Sequence, residues 1–299
     1  MTNAIYFKWL QRQNKFRNPD SILRKPDFFE ISKYQKEEIQ KYLDGLTAQK
    51  ISYTYPSHPD YPMAFYLMKE PPLFLEYIGQ PIWNQHPMIA VVGSRKCHSL
   101  TRHWIQTELF QFLKDSKMTV VSGGAQGVDQ LAHLIAIKAQ LPTVVVLPTG
   151  LNEIFPSDLK DLKNAILHQN GCFISEFETD QKVRKSFFYL RNRLIAAMGK
   201  FCLIVQAGQK SGTMLTVHHA LEFGRPVLTL PAHPLMVDFS GNVKLVQDGA
   251  YVIYKSNDLH VFWLAESWSG PAFEKRASTD RARIFNPALQ LVLPTEQVQ

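Results

Sequence analysis

The sequence predicts an α/β protein: an extended Rossmann-like fold with a mostly parallel sheet, helices on both faces, and a short helical N-terminal region. Two observations carry this expectation. From about residue 85 to 256, short continuous apolar runs alternate with amphipathic helical stretches, the pattern of strands buried on both faces. Several of those runs break off in glycine, the residue that lets a chain leave a sheet edge and turn tightly into a helix.

Taken in order, residues 1–50 read as helical, because Ile39, Tyr42, Leu43 and Leu46 form one apolar stripe; Gly45 places the helix end nearby. Residues 51–84 carry Pro56, Pro59, Pro62, Pro71, Pro72 and Pro81, which exclude a regular helix and predict an extended lead-in packed on the next domain. Residues 85–256 form the main domain. Its expected strands are Met88–Val92, Met118–Val121, Val144–Leu147, Cys172–Phe177, Phe201–Val205 and Val227–Leu230. Its expected helices cover 101–114, 127–139, 157–168, 189–198 and 213–223, the first two with apolar residues at helical spacing. Residues 257–299 read as a short helix at 259–268 and a flexible tail containing Gly270, Pro271, Pro287 and Pro294, with no room for a winged-helix domain.

Composition narrows the function classes. Hydrophobic residues make up 45% of the 299, enough for a sizeable core. No apolar run reaches the roughly 20 residues that span a bilayer. The stretch Met1–Leu10 contains Lys8 and no apolar h-region, so a cytoplasmic location and no membrane partner are expected. Cys97, Cys172 and Cys202 lack metal or redox spacing; the last two open strands and read as buried thiols. The formal charge is +7, and residues 181–210 hold Lys182, Arg184, Lys185, Arg191, Arg193, Lys200 and Lys210 with no acid among them. Such a run favours a polyanionic partner.

In parallel sheets ligands sit beyond the carboxyl ends of the strands. There the sequence places Gly93-Ser94-Arg95, then Gly123, Gly124 and Gly127, then Gly150, and further on Lys210-Ser211-Gly212-Thr213. Glycine turns with a helix start behind them are expected to present backbone N–H groups to phosphates. The spacing is neither GxGxxG nor GxxxxGK[ST], which argues against dinucleotide and Walker-type sites. The stretch Lys185-Ser186-Phe187-Phe188-Tyr189-Leu190-Arg191-Asn192-Arg193 interleaves aromatics with cations, as suits unpaired nucleic acid: rings stack bases and cations meet phosphates. Arg191 and Arg193 cannot share a helical face, so one is free for a structural salt bridge. Asp129 and His133 stand four apart on a helix, but no third ligand accompanies them; Asp129 reads as a helix-start cap and His133 as a packed or hydrogen-bonding residue. The carboxylates of Ser175-Glu176-Phe177-Glu178 at a strand end fit either a catalytic role or the positioning of the neighbouring cationic loop, and no metal or cofactor is expected.

These motifs together resemble the DNA-processing protein A (DprA/Smf) family. The resemblance rests on Val92-Gly93-Ser94-Arg95, Val121-Ser122-Gly123 through Asp129 with Ala132-His133, Gly150-Leu151 with Phe155-Pro156, Ser175-Glu176-Phe177, Arg191-Asn192-Arg193, Ser211-Gly212-Thr213, Gly224-Arg225 and Asp248-Gly249-Ala250. It covers about residues 55–255. It implies a non-enzymatic binder of single-stranded DNA that protects incoming strands and loads the RecA recombinase during natural transformation, working as a homodimer with candidate surfaces near 213–235. It also implies that Arg95 meets a phosphate, Phe188 stacks a base, Lys185 lies on the backbone path and Ser211–Thr213 lines the same pocket. The sequence departs from the family in having Tyr189 and Leu190 where a proline and a basic residue are usual. An alternative is a nucleotide phosphoribohydrolase of the lysine-decarboxylase-like (LOG) type, but Thr216 stands where such an enzyme needs a carboxylate.

Overall fold

The computed structural model describes residues 3–13 and 31–269. The chain divides into two compact units, Met1–Leu75 with Ser269–Gln299, and Glu76–Trp268. The proposed tail at 270–299 lies outside the described residues.

In the first unit, α1 (Asn3–Arg12) packs on α2 (Lys33–Ala48). A capping box starts α2: the Ser32 hydroxyl accepts the Gln35 N–H at 3.2 Å, and the Gln35 side chain accepts the Ser32 N–H at 3.1 Å. The helix does not stop at Gly45 but runs on to Ala48. Glycine inside a helix costs only about 1 kcal/mol relative to alanine, and Leu46, just beyond it, is buried. Lys8 is fully buried, its ammonium 4.4 Å from the Tyr42 ring centroid and 4.7 Å from that of Phe74. Strand β1 (Ser52–Thr54) and a 3-10 turn at Met63–Leu67 follow.

The second unit is the α/β body. Its strands are β2 (Leu75–Gly79), β3 (Met88–Gly93), β4 (Thr119–Ser122), β5 (Thr143–Val146), β6 (Cys172–Ser175), β7 (Phe201–Gln206), β8 (Val227–Thr229) and β9 (Tyr251–Val252). They lie in the order β2-β6-β5-β4-β3-β7-β8-β9, and only β2 on β6 is antiparallel. The order runs outward from β3 in both directions, so the chain reverses its winding between β3 and β7. A crevice opens at such a switch point beyond the strand ends.

Helices cover both faces. The segment α3 (Ser99–Trp104), a π-turn at Ile105–Leu109, and α4 (Phe110–Ser116) joins α5 (Val128–Lys138) and α10 (Ser256–Ser269) on one side. There Ile89 and Val91 of β3 pack into one core with Ile105, Phe112, Leu131, Leu259 and Phe262. On the other side, Ala90 faces Gly199 at the end of α7 (Lys185–Met198), which packs along α8 (Gly212–Glu222). This alternation along β3 is the period-two signature of a strand buried on both faces. Helices α6 (Lys160–His168) and α9 (Ser240–Gln247) complete the layers. Cys172 and Cys202 are buried thiols, and burial, reinforced by Asp129, pushes Cys202 up to about 12.

Two boundaries matter for the site. Strand β6 ends at Ser175, not Phe177: the Ser175 hydroxyl donates to the Thr149 carbonyl at 2.6 Å and accepts the Phe177 N–H at 3.0 Å, which bends the chain away. Helix α7 begins at Lys185, not 189, so Lys185 and Phe188 sit on its first turn. Arg184 is extended, with φ −133° and ψ 150°, and its carbonyl accepts the Phe187 N–H at 3.0 Å.

Candidate functional site

A cleft of about 190 Å³ opens beyond the carboxyl ends of β3, β4 and β5. Arg95, Gly123, Ala125, Gln126, Pro148, Phe155, Pro156, Phe188 and Arg191 line it. Of the residues expected from sequence, the structure thus brings together Arg95, Gly123, Phe188 and Arg191. The centre of the cleft is the half-buried Phe188 ring. The guanidinium carbon of exposed Arg95 lies 5.5 Å from its centroid and that of buried Arg191 lies 5.8 Å from it. Phe155 meets the same ring edge-on at 5.9 Å. An apolar ring flanked by cations is the combination that unpaired nucleic acid requires, one surface for a base and fixed charge for phosphate.

Arg191 is held from behind. Its Nη1 donates to the Val146 carbonyl at 2.9 Å. A Cβ at Gly123 would collide with its guanidinium, so only glycine leaves the space it occupies. Burial lowers its pKa to about 10, with Asp129 opposing and Arg95 adding to the shift, and it stays charged at neutral pH. Gly127, with φ +82°, brings the β4 loop against the carbonyls of Ser94 and Arg95, where any side chain would clash. This contact fixes the turn that carries Arg95.

The glycine turns do not offer their amides as expected. The Gly123 and Ala125 N–H groups donate to the Asp129 carboxylate at 3.2 and 3.4 Å. The Ser94 N–H donates to the Gln206 carbonyl at 2.8 Å, while the Ser94 hydroxyl accepts the Lys96 N–H at 3.1 Å. The Gly150 N–H donates to the Gln181 carbonyl at 2.8 Å. These amides are therefore taken up by partners within the chain, because buried amides without acceptors are costly. The charged groups that line the cleft are the guanidinium groups of Arg95 and Arg191. Burial raises the Asp129 carboxyl above the usual range, and Arg191, the two amides and Ser122 work against that rise. His133 is buried with Nδ1 2.7 Å from the Thr143 hydroxyl, so the Asp129–His133 pair is structural.

The other expected residues fall outside the cleft wall. Gly93 packs on Val128 and the Gln206 carbonyl, Gly124 against Leu159, and Gly150 against the Glu178–Thr179 backbone. Arg193 points away and is buried in an ion pair with Glu176 at 2.5 Å. Lys185 is exposed on the first turn of α7. Lys210, Ser211, Gly212 and Thr213 lie at the start of α8, across the switch point after β7, where Asn192 donates to the Gly212 carbonyl at 3.4 Å. Lys210 is exposed, and the Ser211 hydroxyl oxygen is buried without a hydrogen-bond partner. Phe155 escaped the sequence reading as a site residue. Nothing local in the sequence marks it; the structure shows its ring 38% exposed beside Phe188. Among the described residues no helix is long and apolar enough to cross a membrane.

Comparison with known proteins identifies the family and the fold. Residues 52–263 match the family model described as DNA recombination-mediator protein A. The chain is 34% identical over 208 residues to Protein Smf of Synechocystis, covering 68% of this chain and 52% of that one, so it spans about half that relative's length. It is 30% identical over 199 residues to DNA processing protein DprA of Streptococcus pneumoniae, covering 67% and 70%. The solved structure of the Streptococcus pneumoniae protein superposes with a TM-score of 0.69 at 25% identity, over 87% of this chain and 93% of that one. That of DNA processing protein A from Helicobacter pylori, a structural study of that protein's single-stranded DNA binding mode, superposes at 0.63 with 29% identity, over 72% and 97%.

Proposed function

Because the chain belongs to the DNA recombination-mediator protein A family, we propose that it binds single-stranded DNA in the Arg95–Phe188–Arg191 cleft and acts as a recombination mediator. The observation that carries this reading is the Phe188 ring flanked by two guanidinium groups. A base in a duplex is already stacked and paired, whereas a base on a single strand is free to lie on that ring. Backbone phosphates then meet Arg95 at the mouth. Lys185, and Lys210 with the Ser211–Thr213 turn across the switch point, extend the same rim and accept neighbouring phosphates.

In the cell this binding serves to protect incoming strands and to load the RecA recombinase during natural transformation, in the cytoplasm, by a homodimer. Exposed Leu215 and Leu221 on α8 and exposed Leu235 after β8 supply apolar area near 213–235 for a second copy. The reading involves no catalytic step. Thr216, at the place where a phosphoribohydrolase would need a carboxylate, is buried at 2% exposure and does not line the Arg95–Phe188–Arg191 cleft.

The test is fluorescence anisotropy with labelled single-stranded and duplex oligonucleotides at matched salt, alongside light scattering for oligomeric state. Tighter, salt-sensitive binding of the single strand is expected. Equal affinity for the duplex would refute the reading. Stimulation of RecA filament assembly by the bound protein tests the mediator role separately.

A further inference from the structure

Phe187 and Phe188 are consecutive on the first turn of α7, and each ring has an arginine over it. Arg95 stands over Phe188 at 5.5 Å, and Arg184 stands over Phe187 at 5.6 Å. Phe187 is backed by Phe177, with ring centroids 4.1 Å apart and planes 22° apart. Phe177 and Phe187 are half-buried, and Arg184 is exposed with Lys182 and Lys185 beside it. Among the described residues none of these three cations has an ion-pair partner. Consecutive helical residues point about 100° apart, since there are 3.6 per turn. The second ring therefore faces away from the cleft, toward the loop after β6.

We propose that Phe187, backed by Phe177 and capped by Arg184, is a second base platform, so that a bound strand bends around the first turn of α7 instead of ending in the cleft. This inference rests on the reading of the cleft as a single-strand site and adds to it a path and further contacting residues. The chemistry repeats that of Phe188: a fixed apolar face for one base and a guanidinium for the adjoining phosphate. Phe177 makes the second platform rigid, because a ring already stacked on one face loses little side-chain freedom when a base covers the other. The exposed Arg184 side chain swings outward to admit the base and closes on its far face. Lys182 and Lys185 then flank the phosphates on either side of the turn.

The competing explanation is that the Phe177–Phe187 stack only clamps α7 to the β6 loop. Phe187→Leu separates the two, because it keeps an apolar contact with Phe177 and removes the aromatic face. The experiment uses the full chain and oligothymidylates carrying one 2-aminopurine, in a short form that fills only the cleft and a longer form that reaches around α7. Phe187→Leu is expected to keep the wild-type melting temperature, to leave short-oligonucleotide affinity unchanged, and to weaken long-oligonucleotide binding roughly five- to a hundredfold. Phe187→Trp is expected to retain the binding. Arg184→Gln is expected to flatten the logarithmic salt dependence by about 0.7 for the longer oligonucleotide.

Wild-type affinity of Phe187→Leu for the longer oligonucleotide overturns the second platform while leaving the cleft reading intact. Equal weakening for both lengths also overturns it, and assigns Phe187 to positioning Phe188. Should the wild-type chain bind no single strand, and Phe188→Leu change nothing, the cleft reading fails and the path fails with it.

Discussion

Arg191 and Arg193 stand two residues apart on α7 and serve opposite purposes. Arg191 donates to the Val146 carbonyl and presents its guanidinium to the Phe188 ring, while Arg193 points away and closes on the Glu176 carboxylate. The first lines the cleft and the second is consumed by the fold. Helical geometry forces this division, because residues two apart project from different sides.

Removing either side of the Phe188 platform weakens binding in a distinguishable way. Phe188→Ala is expected to cost about 1–3 kcal/mol in single-strand affinity with little change in salt dependence. Arg95→Ala is expected to lower affinity and also to reduce the salt slope by about 0.7, the share of one phosphate contact on a single strand. Anisotropy titrations at several salt concentrations check both, and an unchanged slope for Arg95→Ala would show that Arg95 meets no phosphate.

Gly123→Ala is expected to displace the Arg191 guanidinium, since the added methyl collides with it. Overpacking of this kind costs about 1–3 kcal/mol of stability, and the displaced Arg191 loses its place beside Phe188. The double variant Gly123→Ala with Arg191→Ala removes the clash, so its loss of stability is expected to be smaller than the sum of the single losses. Urea denaturation of the four proteins tests this. Strict additivity would mean that the methyl is accommodated elsewhere.

Arg193→Ala leaves Glu176 buried without its main counter-charge and is expected to destabilise the chain by about 3–5 kcal/mol. Replacing both partners with apolar residues of similar size is expected to restore most of that loss. In each case the folded protein is expected to keep its single-strand affinity. A stable Arg193→Ala variant with weak binding would instead return Arg193 to the ligand.

His133 makes part of the stability acid-sensitive. Burial first, and the Arg191 charge second, hold its pKa down to about 3 from 6.5. The unfolded chain takes up a proton near 6.5 and the folded chain does not, so this contribution is complete above about 6.5. It is lost as pH falls from there toward about 3, at up to about 1.4 kcal/mol per pH unit. His133→Gln keeps a polar partner for Thr143 and removes this dependence. Urea midpoints at pH 7 and pH 5 are therefore expected to fall further for wild type than for the variant; parallel losses would contradict the assignment.

The fold was legible where local pattern and tertiary burial agree. The runs Met88–Val92 and Phe201–Val205 are apolar throughout and became the central strands β3 and β7. Strand β2 was hidden by the prolines on either side of it, and β9 is too short to show a period. In the site, Arg95 is marked by its place after a glycine turn and the run 185–193 by aromatics among cations, which are local signals; within that run only the family resemblance singled out Phe188. The Glu176–Arg193 pair could not be foreseen as a pair, because its partners are separated in sequence and joined only by the bend after Ser175. Nor could the filling of the Gly123 and Ala125 amides, which requires that Asp129 turn back across its own helix start.

That last feature sets what the β4 loop ignores. A carboxylate anchored a few residues from the amides it occupies acts as an intramolecular competitor, present at an effective concentration of order millimolar or above. A small phosphorylated metabolite must displace this resident group before it gains the Gly123 or Ala125 amide. For those two amides the chain supplies its own anion, and the charges left facing the cleft are the guanidinium groups of Arg95 and Arg191.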